Sequence, residues 1–365
     1  MPLKCGIVGL TNTGKTTIFN CMSSTKAEAT TYAFSTSKSN LGVIDIPDER
    51  LYEIDKIVHA EKVTPATVEI VDIPGLAKGS SHGEGVGNKF LGDIQQTDAL
   101  IHVLRCFDDV NLPHVEGSVD PVRDIEILDL EFIVKDLEMI ERKILKLEKI
   151  ARSGDKDAKK GVDILRGYKD HFENFKSART LEIDEADKRI TGDLFLLSDK
   201  PVVYACNVDD ASAVNGNHYV DAVKEVLKDQ QSEILIIAGE LEAEIAELDN
   251  PDDRQAFLED AGLAEPGVNK LIKAAYKILN LESFFTAGPK EVRAWTIKKG
   301  MTAPQAAGVI HSDLERGFIR AEVIKYHDYI ALGSEHACKE AGKMSVEGKK
   351  YVVGDGDVVY IRFNV

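Results

Sequence analysis

The chain lacks the features of a secreted, zinc-binding or membrane-spanning protein. Its five cysteines are odd in number, scattered and without C-x-x-C spacing, so neither a disulfide framework nor a zinc site is expected. No apolar run approaches the roughly 20 residues that cross a bilayer. The N-terminus leads from Met1 directly into an apolar strand pattern without the regions of a secretion signal. We therefore expect a cytoplasmic protein that does not contact a membrane.

The chain also has fewer basic than acidic residues, and its 365 residues carry a net charge of −17. The deficit is uneven: residues 283–365 have a net charge of +2 and residues 129–192 are neutral, which leaves −19 on the remainder. Those two segments can still meet a polyanion, and the acidic part is the one with nucleotide-binding motifs. At this length we expect two or three domains.

A phosphate-binding loop is present near the N-terminus. Gly9–Thr16 matches G-x-x-x-x-G-K-[ST], after an apolar strand pattern at Leu3–Val8 and before a helical one at Thr16–Cys21. In this motif backbone N–H groups surround the phosphates, while Lys15 supplies charge and Thr16 binds Mg²⁺. The nucleotide-binding residues predicted from the loop are Asn12, Thr13, Gly14, Lys15, Thr16 and Thr17.

A second phosphate-site element follows in the strand pattern Thr67–Asp72. Asp72 ends the strand and begins the D-x-x-G sequence of the GTPase superclass, where the aspartate reaches the Mg²⁺ shell and the Gly75 N–H senses the γ-phosphate. Thr36, in a polar loop between the two motifs, is the predicted threonine that closes over Mg²⁺. Five glycines between Gly75 and Gly87 indicate a switch segment.

Further strand patterns at Ala99–Cys106, Val202–Asn207 and Ile234–Ala238 alternate with helical ones. They predict an α/β fold with a mostly parallel sheet, helices on both faces, and a ligand at the carboxyl ends of the strands. Asn207, Val208 and Asp210 occupy the position of the guanine-reading N-K-x-D motif, and Gly239 follows the last strand. Val208 replaces the lysine while Asp210 keeps the acid, so these residues leave the choice between adenine and guanine open.

One catalytic residue of Ras-like enzymes is missing. The position after D-x-x-G, where a glutamine orients the attacking water, is Leu76. Either hydrolysis is slow and awaits an activator, or another group positions the water.

At this point the sequence resembles the YchF/Obg-like ATPase family, which is related to Obg and belongs to the P-loop GTPase superclass. The resemblance runs the length of the chain, and the segments that carry it are Gly9–Thr16, Asp72–Leu76, Gly83–Phe90, Arg105–Asp109, His114–Pro121, Glu242–Leu248 and the C-terminal third. It implies a P-loop domain at 1–128 and 193–282, a helical coiled-coil insertion at 129–192, and a β-rich TGS domain at 283–365.

The resemblance also implies a function and several residue roles. It implies a Mg²⁺-dependent ATPase that prefers ATP to GTP and associates with ribosomes, with a leucine in place of the catalytic glutamine. His114 is the implied aid to hydrolysis, although a structural histidine is equally consistent, and His82 in the glycine-rich segment is a rival. Asn12 implies a K⁺ ion beside the phosphates. Asp210 departs from the family's N-x-x-E pattern by one methylene and keeps a GTPase in consideration.

Apolar residues at spacings of three and four predict the helical insertion. On the first helix they are Leu130, Ile133, Leu137, Ile140, Ile144 and Leu147, and on the second they are Val162, Leu165, Tyr168, Phe172 and Phe175. Ser153–Asp155 breaks the pattern between them. Residues Arg142–Lys160, the basic tip, hold eight Lys/Arg against three acids. Such a tip is either a solvated surface or a contact for ribosomal RNA phosphates.

The C-terminal third shows short alternating runs. Strands are predicted at Ala294–Ile297, Ile319–Val323, Tyr351–Val353 and Val358–Phe363. Arg316–Arg320 and Lys325 offer basic and aromatic groups to RNA or, alternatively, to the nucleotide domain. No DNA specificity is expected. Two hypotheses follow: a slow ATPase switch of the translation machinery, and a nucleotide-gated binding module in which hydrolysis is incidental.

Overall fold

The structure is a computed structural model that describes residues 3–23, 40–75, 86–230 and 232–364. Three residues of the sequence analysis lie outside these ranges: Thr36, which was predicted to close over Mg²⁺, Leu76 and His82. Their predicted roles stay predictions.

Within the described residues the chain forms twelve strands and fourteen α-helices. The strands are β1 (Lys4–Val8), β2 (Asn40–Asp45), β3 (Val63–Thr64), β4 (Thr67–Asp72), β5 (Ala99–Arg105), β6 (Val202–Asn207), β7 (Glu233–Ile237), β8 (Leu281–Ala287), β9 (Val292–Lys298), β10 (Phe318–Lys325), β11 (Met344–Glu347) and β12 (Asp357–Phe363). The helices are α1 (Lys15–Ser23), α2 (Glu49–Val58), α3 (Val86–Gln95), α4 (Pro121–Ala151), α5 (Lys156–Glu173), α6 (Glu185–Lys188), α7 (His218–Leu227), α8 (Gly239–Glu247), α9 (Pro251–Asp260), α10 (Gly267–Ile278), α11 (Ala303–Ile310), α12 (Ser312–Arg316), α13 (Tyr326–Leu332) and α14 (Glu335–Glu340).

The first sheet has the strand order β2-β4-β1-β5-β6-β7, and all neighbours except β2 and β4 are parallel. Every residue of β5 is buried. Ile101 packs in a core with α1 and α10, whereas Leu104 packs in a core with α3, α4 and α7. A strand buried on both faces reads as a continuous apolar run, as this one does. The predicted parallel sheet with helices on both faces is confirmed.

The second sheet contains most of the C-terminal strands and one short strand from much earlier in the chain. Its order is β11-β10-β12-β8-β9-β3, and β3 pairs in parallel with β9 through Val63 and Thr64. The strand expected at Tyr351–Val353 is reduced to an isolated bridge between Val352 and Thr302, so that prediction was wrong. Gly354–Asp357 turns the chain immediately afterwards, which leaves no length for a strand.

The two sheets are joined by polar contacts and by a shared core. Thr296 of β9 donates to the Thr67 carbonyl at the start of β4 over 3.0 Å. Arg50 of α2 binds both Asp48 and Asp355. Buried residues of β8, β9 and β12 pack in the same core as α1 and α10. The C-terminal segment therefore packs on the first sheet and its helices, but through residues other than the predicted Arg316, Arg320 and Lys325, which pair with acids of their own segment.

Helices α4 and α5 form an antiparallel hairpin, joined through the turn around Gly154. Ile140, Leu165 and Phe172 lie in its core, but Leu130 is 40% exposed and Phe175 is 76% exposed. Those two residues were predicted to lie in the seam, and that prediction was wrong. Phe175 lies outside the seam because α5 ends at Glu173 and Phe175 adopts a positive φ of 57°. The described chain has no helix of sufficient length and apolarity to cross a bilayer.

The hairpin is held to the first sheet at its root. The buried Asp136 carboxylate accepts hydrogen bonds from the Leu197 and Ser198 N–H groups at 2.8 Å and from the Ser198 hydroxyl at 2.6 Å. Burial nevertheless raises the pKa of Asp136 to about 6, against the effect of these donors.

Candidate functional site

The phosphate loop connects the carboxyl end of β1 to the first residue of α1. Both of its glycines are required, because a side chain at either position would collide with neighbouring atoms. A Cβ on Gly9 would lie 2.5 Å from the Val103 carbonyl oxygen, and one on Gly14 would lie 2.2 Å from the Asn207 amide nitrogen. Both residues also have positive φ values, of 150° and 90°. The loop therefore keeps the tight backbone path that exposes its N–H groups to an anion.

Lys15 lies inside this loop with only 7% of its surface exposed. Its Nζ donates to the Leu10 carbonyl over 2.6 Å. Burial lowers the pKa of Lys15 to about 8, while the nearby Asp72 carboxylate acts in the opposite direction. A phosphate would give this ammonium a charged partner in place of a carbonyl dipole.

Thr16 and Asp72 meet at the loop because β4 lies beside β1 in the sheet. The Thr16 hydroxyl donates to Asp72 Oδ2 over 3.2 Å. Asp72 is buried, its Oδ1 forms no hydrogen bond with any described residue, and burial raises its pKa. A hydroxyl and a buried carboxylate with a free oxygen are oxygen ligands of the kind Mg²⁺ prefers. The residues present therefore fit the predicted metal site.

Asn207 joins the phosphate loop to the next strand connection. Its Nδ2 donates to the Thr13 carbonyl and its Oδ1 accepts from the Gly239 N–H, both over 2.9 Å. A Cβ on Gly239 would lie 2.9 Å from that oxygen. Asn207, which was predicted to read the base, thus uses its Nδ2 and Oδ1 atoms to hold the phosphate loop against Gly239.

A cleft of about 640 Å³ lies against these residues. It is lined by Asn12, Gly14, Lys15, Thr16, Thr17, Phe107, Asp108, Asp109, Leu112, Asn207, Val208, Asp209, Gly239, Glu240 and Ala243. Its lining thus contains most of the predicted nucleotide-binding residues. Its volume is within the usual range of ligand pockets.

Asp210, the predicted acid of the base-reading motif, is exposed and absent from this lining. It starts a short 3₁₀ turn, and its neighbour Asp209 lines the cleft instead. The Asp209 carboxylate accepts from the Ser212 N–H over 2.9 Å and so caps that turn. Val208 is a cleft residue but only 3% exposed.

Residues 107–112, which follow β5 and form one wall of the cleft, were not predicted to bind nucleotide. Phe107, Asp109 and Leu112 line the cleft, with Phe107 half-buried. In the sequence this segment contributes to the family resemblance but has no binding motif of its own. The available signal was its position, since a residue following a parallel strand lies at the edge of the sheet where ligands bind.

His114 is buried beside α4. Its Nε2 lies 3.0 Å from Asp124 Oδ2, and its Nδ1 accepts from the Glu116 N–H over 3.1 Å. Because Nδ1 accepts, Nε2 carries the proton and donates to Asp124. The preceding residue, Pro113, accepts from the Asn12 side chain over 3.2 Å. His114 therefore follows a residue that contacts the phosphate loop, and both of its ring nitrogens form hydrogen bonds.

The two predicted polyanion-binding surfaces differ in how far their charges are neutralised. In the basic tip, Lys146, Lys149, Arg152, Lys156 and Lys159 are exposed and form no ion pair within the described residues. In the C-terminal segment, by contrast, every predicted cation has an acidic partner: Arg316 with Asp313, Arg320 with Glu322, and Lys325 with Asp357. The tip is the freer of the two surfaces.

A larger cavity, of about 880 Å³, lies where α10 meets the second sheet. Most of its charged lining residues pair with one another, as in Lys277 with Glu233 and Lys299 with Glu282. It lies at the amino ends of β6 and β7, away from the phosphate loop, so the smaller cleft is the candidate site.

Comparison with known proteins agrees with this geometry. Residues 4–149 match a family described as a 50S ribosome-binding GTPase, and residues 281–364 match the YchF GTPase C-terminal family, described as a protein of unknown function. Two full-length relatives, from Bacillus subtilis (47% identical) and Escherichia coli O157:H7 (46%), are each named ribosome-binding ATPase YchF, with all of both chains covered.

Solved structures are similar as well. The Schizosaccharomyces pombe YchF GTPase is 32% identical, with a TM-score of 0.88, and 99% of this chain and 97% of that chain are covered. A GTP-binding protein from Pyrococcus horikoshii is 17% identical, with a TM-score of 0.58 and coverage of 99% and 100%, and shares the fold.

Proposed function

The chain belongs to the YchF family, and we propose that it is a slow ATPase that switches its association with the ribosome. One observation carries the proposal: Lys15 and Thr16 of the phosphate loop meet Asp72 of the D-x-x-G motif at one end of a cleft that continues along Asn207 and Val208. The full-length relatives named ribosome-binding ATPases support the same interpretation.

In the reaction, water attacks the γ-phosphorus of ATP, the bond from that phosphorus to the β,γ-bridging oxygen breaks, and ADP and inorganic phosphate are released. Lys15 moves its hydrogen bond from the Leu10 carbonyl to the β- and γ-phosphate oxygens, and the Gly75 N–H faces the γ-phosphate. Thr16 and Asp72 would hold Mg²⁺, which neutralises charge on the phosphates when bound. Without an activator, turnover on the order of 10⁻⁴ to 10⁻² s⁻¹ is expected, as for other unactivated switch proteins. Many turnovers per second without a partner would refute the switch.

His114 is proposed to assist hydrolysis. To orient a water its Nε2 must release Asp124, so nucleotide binding has to shift the segment around Pro113. His114→Ala should then lower the rate while leaving ATP affinity unchanged. An unchanged rate would assign His114 a structural role, as part of the buried pair with Asp124.

ATP is the proposed substrate in preference to GTP. Val208 cannot supply the charge of the guanine-specific lysine, and Asp210 is exposed and outside the cleft lining. The relatives' names include both ATPase and GTPase, so the base needs a direct measurement. Calorimetric titration of ATP, ADP, GTP and GDP with Mg²⁺ should show adenine nucleotides binding at least tenfold tighter, about 1.4 kcal/mol. Tighter guanine binding would make the chain a GTPase.

A K⁺ ion is proposed beside Asn12. Asn12 adopts a positive φ of 64° at the tip of the phosphate loop and lines the cleft. A cation there would replace the charge of the arginine that activated relatives use. Hydrolysis should be faster in potassium than in sodium buffer, and equal rates would exclude this ion.

The basic tip is proposed to contact ribosomal RNA in the cytoplasm. Five of its cations form no ion pair with any residue that the structure describes, and they project from a hairpin whose root is fixed by Asp136. Contacts of this kind to phosphates make binding depend on salt.

The second candidate, a nucleotide-gated binding module, is favoured by the engaged state of His114. In that case His114→Ala protein would bind ribosomes in an ATP-dependent manner and retain its biological function. Loss of function with ribosome binding intact would support the ATPase switch instead.

A further inference from the structure

Arg105, the last residue of β5, is among the largest fully buried side chains of the described chain, with 1% of its surface exposed. A buried guanidinium requires hydrogen-bond acceptors, and this one has backbone carbonyls. Its Nε donates to Phe107 over 3.1 Å, Nη1 to Leu112 over 2.8 Å, and Nη2 to Asp109 at the longer distance of 3.4 Å. One side chain therefore gathers the backbone of residues 107–112.

Each of these three carbonyls belongs to a residue that lines the nucleotide cleft. The Arg105 guanidinium carbon also lies 4.8 Å from the centre of the Phe107 ring, within the range of a cation–π contact. We propose that Arg105 is a positioning residue that holds this wall of the cleft in shape and thereby sets the affinity for the base and ribose of the nucleotide. The proposal rests on the proposed nucleotide-binding function.

The wall also has local hydrogen bonds, from the Asn111 N–H to the Asp109 carboxylate over 2.8 Å and from the Leu112 N–H to the Asp109 carbonyl over 3.3 Å, but both lie within the segment itself. Val110, in the middle of the segment, is 98% exposed, and Asp108 is anchored from outside by the Tyr219 hydroxyl at 3.0 Å. A loop of this exposure would otherwise sample many conformations, and ordering it on binding would cost affinity. The hydrogen bonds from Arg105 order the segment before the nucleotide binds, so the cost does not reduce the binding affinity.

Arginine suits this task because its planar fork carries five N–H donors in fixed directions. A lysine at 105 would keep the positive charge but offer a single nitrogen, which cannot reach three carbonyls on different sides. The substitution Arg105→Lys therefore separates the charge of the residue from its shape.

At the phosphate end of the cleft, the contacts of Lys15, Thr16 and Thr13 do not involve Arg105. Lys15 bonds to Leu10, Thr16 to Asp72, and Thr13 to Asn207. A ligand with phosphates but no base or ribose should therefore be insensitive to Arg105. Inorganic tripolyphosphate with Mg²⁺ is such a probe.

The experiment compares Mg²⁺-ATP and Mg²⁺-tripolyphosphate binding to wild type, Arg105→Lys and Arg105→Gln. We expect ATP affinity to fall about tenfold in both variants, about 1.4 kcal/mol, with tripolyphosphate affinity unchanged. KM for ATP should rise with kcat unchanged. Arg179→Gln is the matched control, since Arg179 also donates to a backbone carbonyl, that of Lys200, and does not line the cleft. It should alter neither affinity.

Equal losses for ATP and tripolyphosphate, or an unchanged ATP affinity, would overturn the proposal. Should a variant fail to fold, Phe107→Leu takes its place: it removes the ring that Arg105 holds, and an unchanged ATP affinity there overturns the proposal equally. Wild-type protein that binds tripolyphosphate as tightly as ATP would refute the proposed ATP site itself, which is a separate outcome from any result on Arg105.

Discussion

The candidate nucleotide cleft and the basic tip of the hairpin both contain lysines, but these lysines have different surroundings. Lys15 is buried, bonded to a carbonyl and lowered in pKa to about 8. Lys146 and Lys149 are exposed on a helix and free of ion pairs within the described chain. A desolvated charge in fixed geometry stabilises a transition state, whereas solvated charges attract a backbone of phosphates without fixing it. Under the proposed function, the same type of side chain would stabilise the reacting phosphates in the cleft and attract RNA phosphates at the tip.

Removing the buried cation should have the largest effect. Lys15→Ala is expected to lower the rate of ATP hydrolysis at saturating ATP by about 10²–10³-fold, because the charge that develops on the phosphates loses a fixed donor. Single-turnover assays with radiolabelled ATP measure this loss directly. Lys146→Ala, which removes an exposed lysine, is the control and should hydrolyse ATP at the wild-type rate. A Lys15→Ala rate within a fewfold of wild type would break the comparison.

The hairpin must be rigid for its tip to act as a fixed surface, and its core can be tested with a pair of phenylalanines. Phe172 is 1% exposed and Phe175 is 76% exposed. Phe172→Ala should lower the free energy of unfolding by about 3–5 kcal/mol, as for other buried aromatics. Phe175→Ala should change it by less than about 0.5 kcal/mol. Urea denaturation measures both, and equal losses would restore Phe175 to the seam that the heptad pattern predicted.

Charge reversal in the tip should weaken ribosome binding and leave hydrolysis unchanged. For the triple variant Lys146→Glu, Lys149→Glu and Arg152→Glu, the slope of log affinity against log salt should fall by about one for each phosphate that the tip no longer neutralises, and affinity at low salt by about tenfold or more. Co-sedimentation with ribosomes across a salt series measures this slope. Leu145→Ser, an uncharged change at an exposed tip position, is the matched control. An unaltered slope would mean that the tip is only a solvated surface.

The smallest effect concerns pH. The pKa of Lys15 is lowered to about 8 in the free protein, and a bound phosphate should raise it, because the ammonium gains an anionic partner. The complex then holds more protons than the free protein above pH 8, so ATP affinity should fall by a fewfold as pH rises from 7 to 9. Lys15→Arg, which stays charged, should remove this fall. A pH-independent affinity in wild type would show that Lys15 stays protonated throughout.

Elements with a local signal could be predicted from the amino-acid sequence alone. The phosphate loop, each strand of the parallel sheet and each helix of the hairpin lie in one short stretch with its own spacing and turn residues. Local patterns of this kind report backbone needs and a buried face, which neighbouring residues share. The predicted seam was wrong only at its ends, at Leu130 and Phe175.

The contacts between distant residues, by contrast, became visible only in the folded chain. It placed β3 beside β9, paired His114 with Asp124, engaged Asn207 with Thr13 and Gly239, and turned Asp209 rather than Asp210 to the cleft. It also gathered the wall residues around Arg105. These arrangements arise because parallel strands bring their carboxyl ends to one edge and because each buried polar atom must find a partner there, whichever part of the chain supplies it.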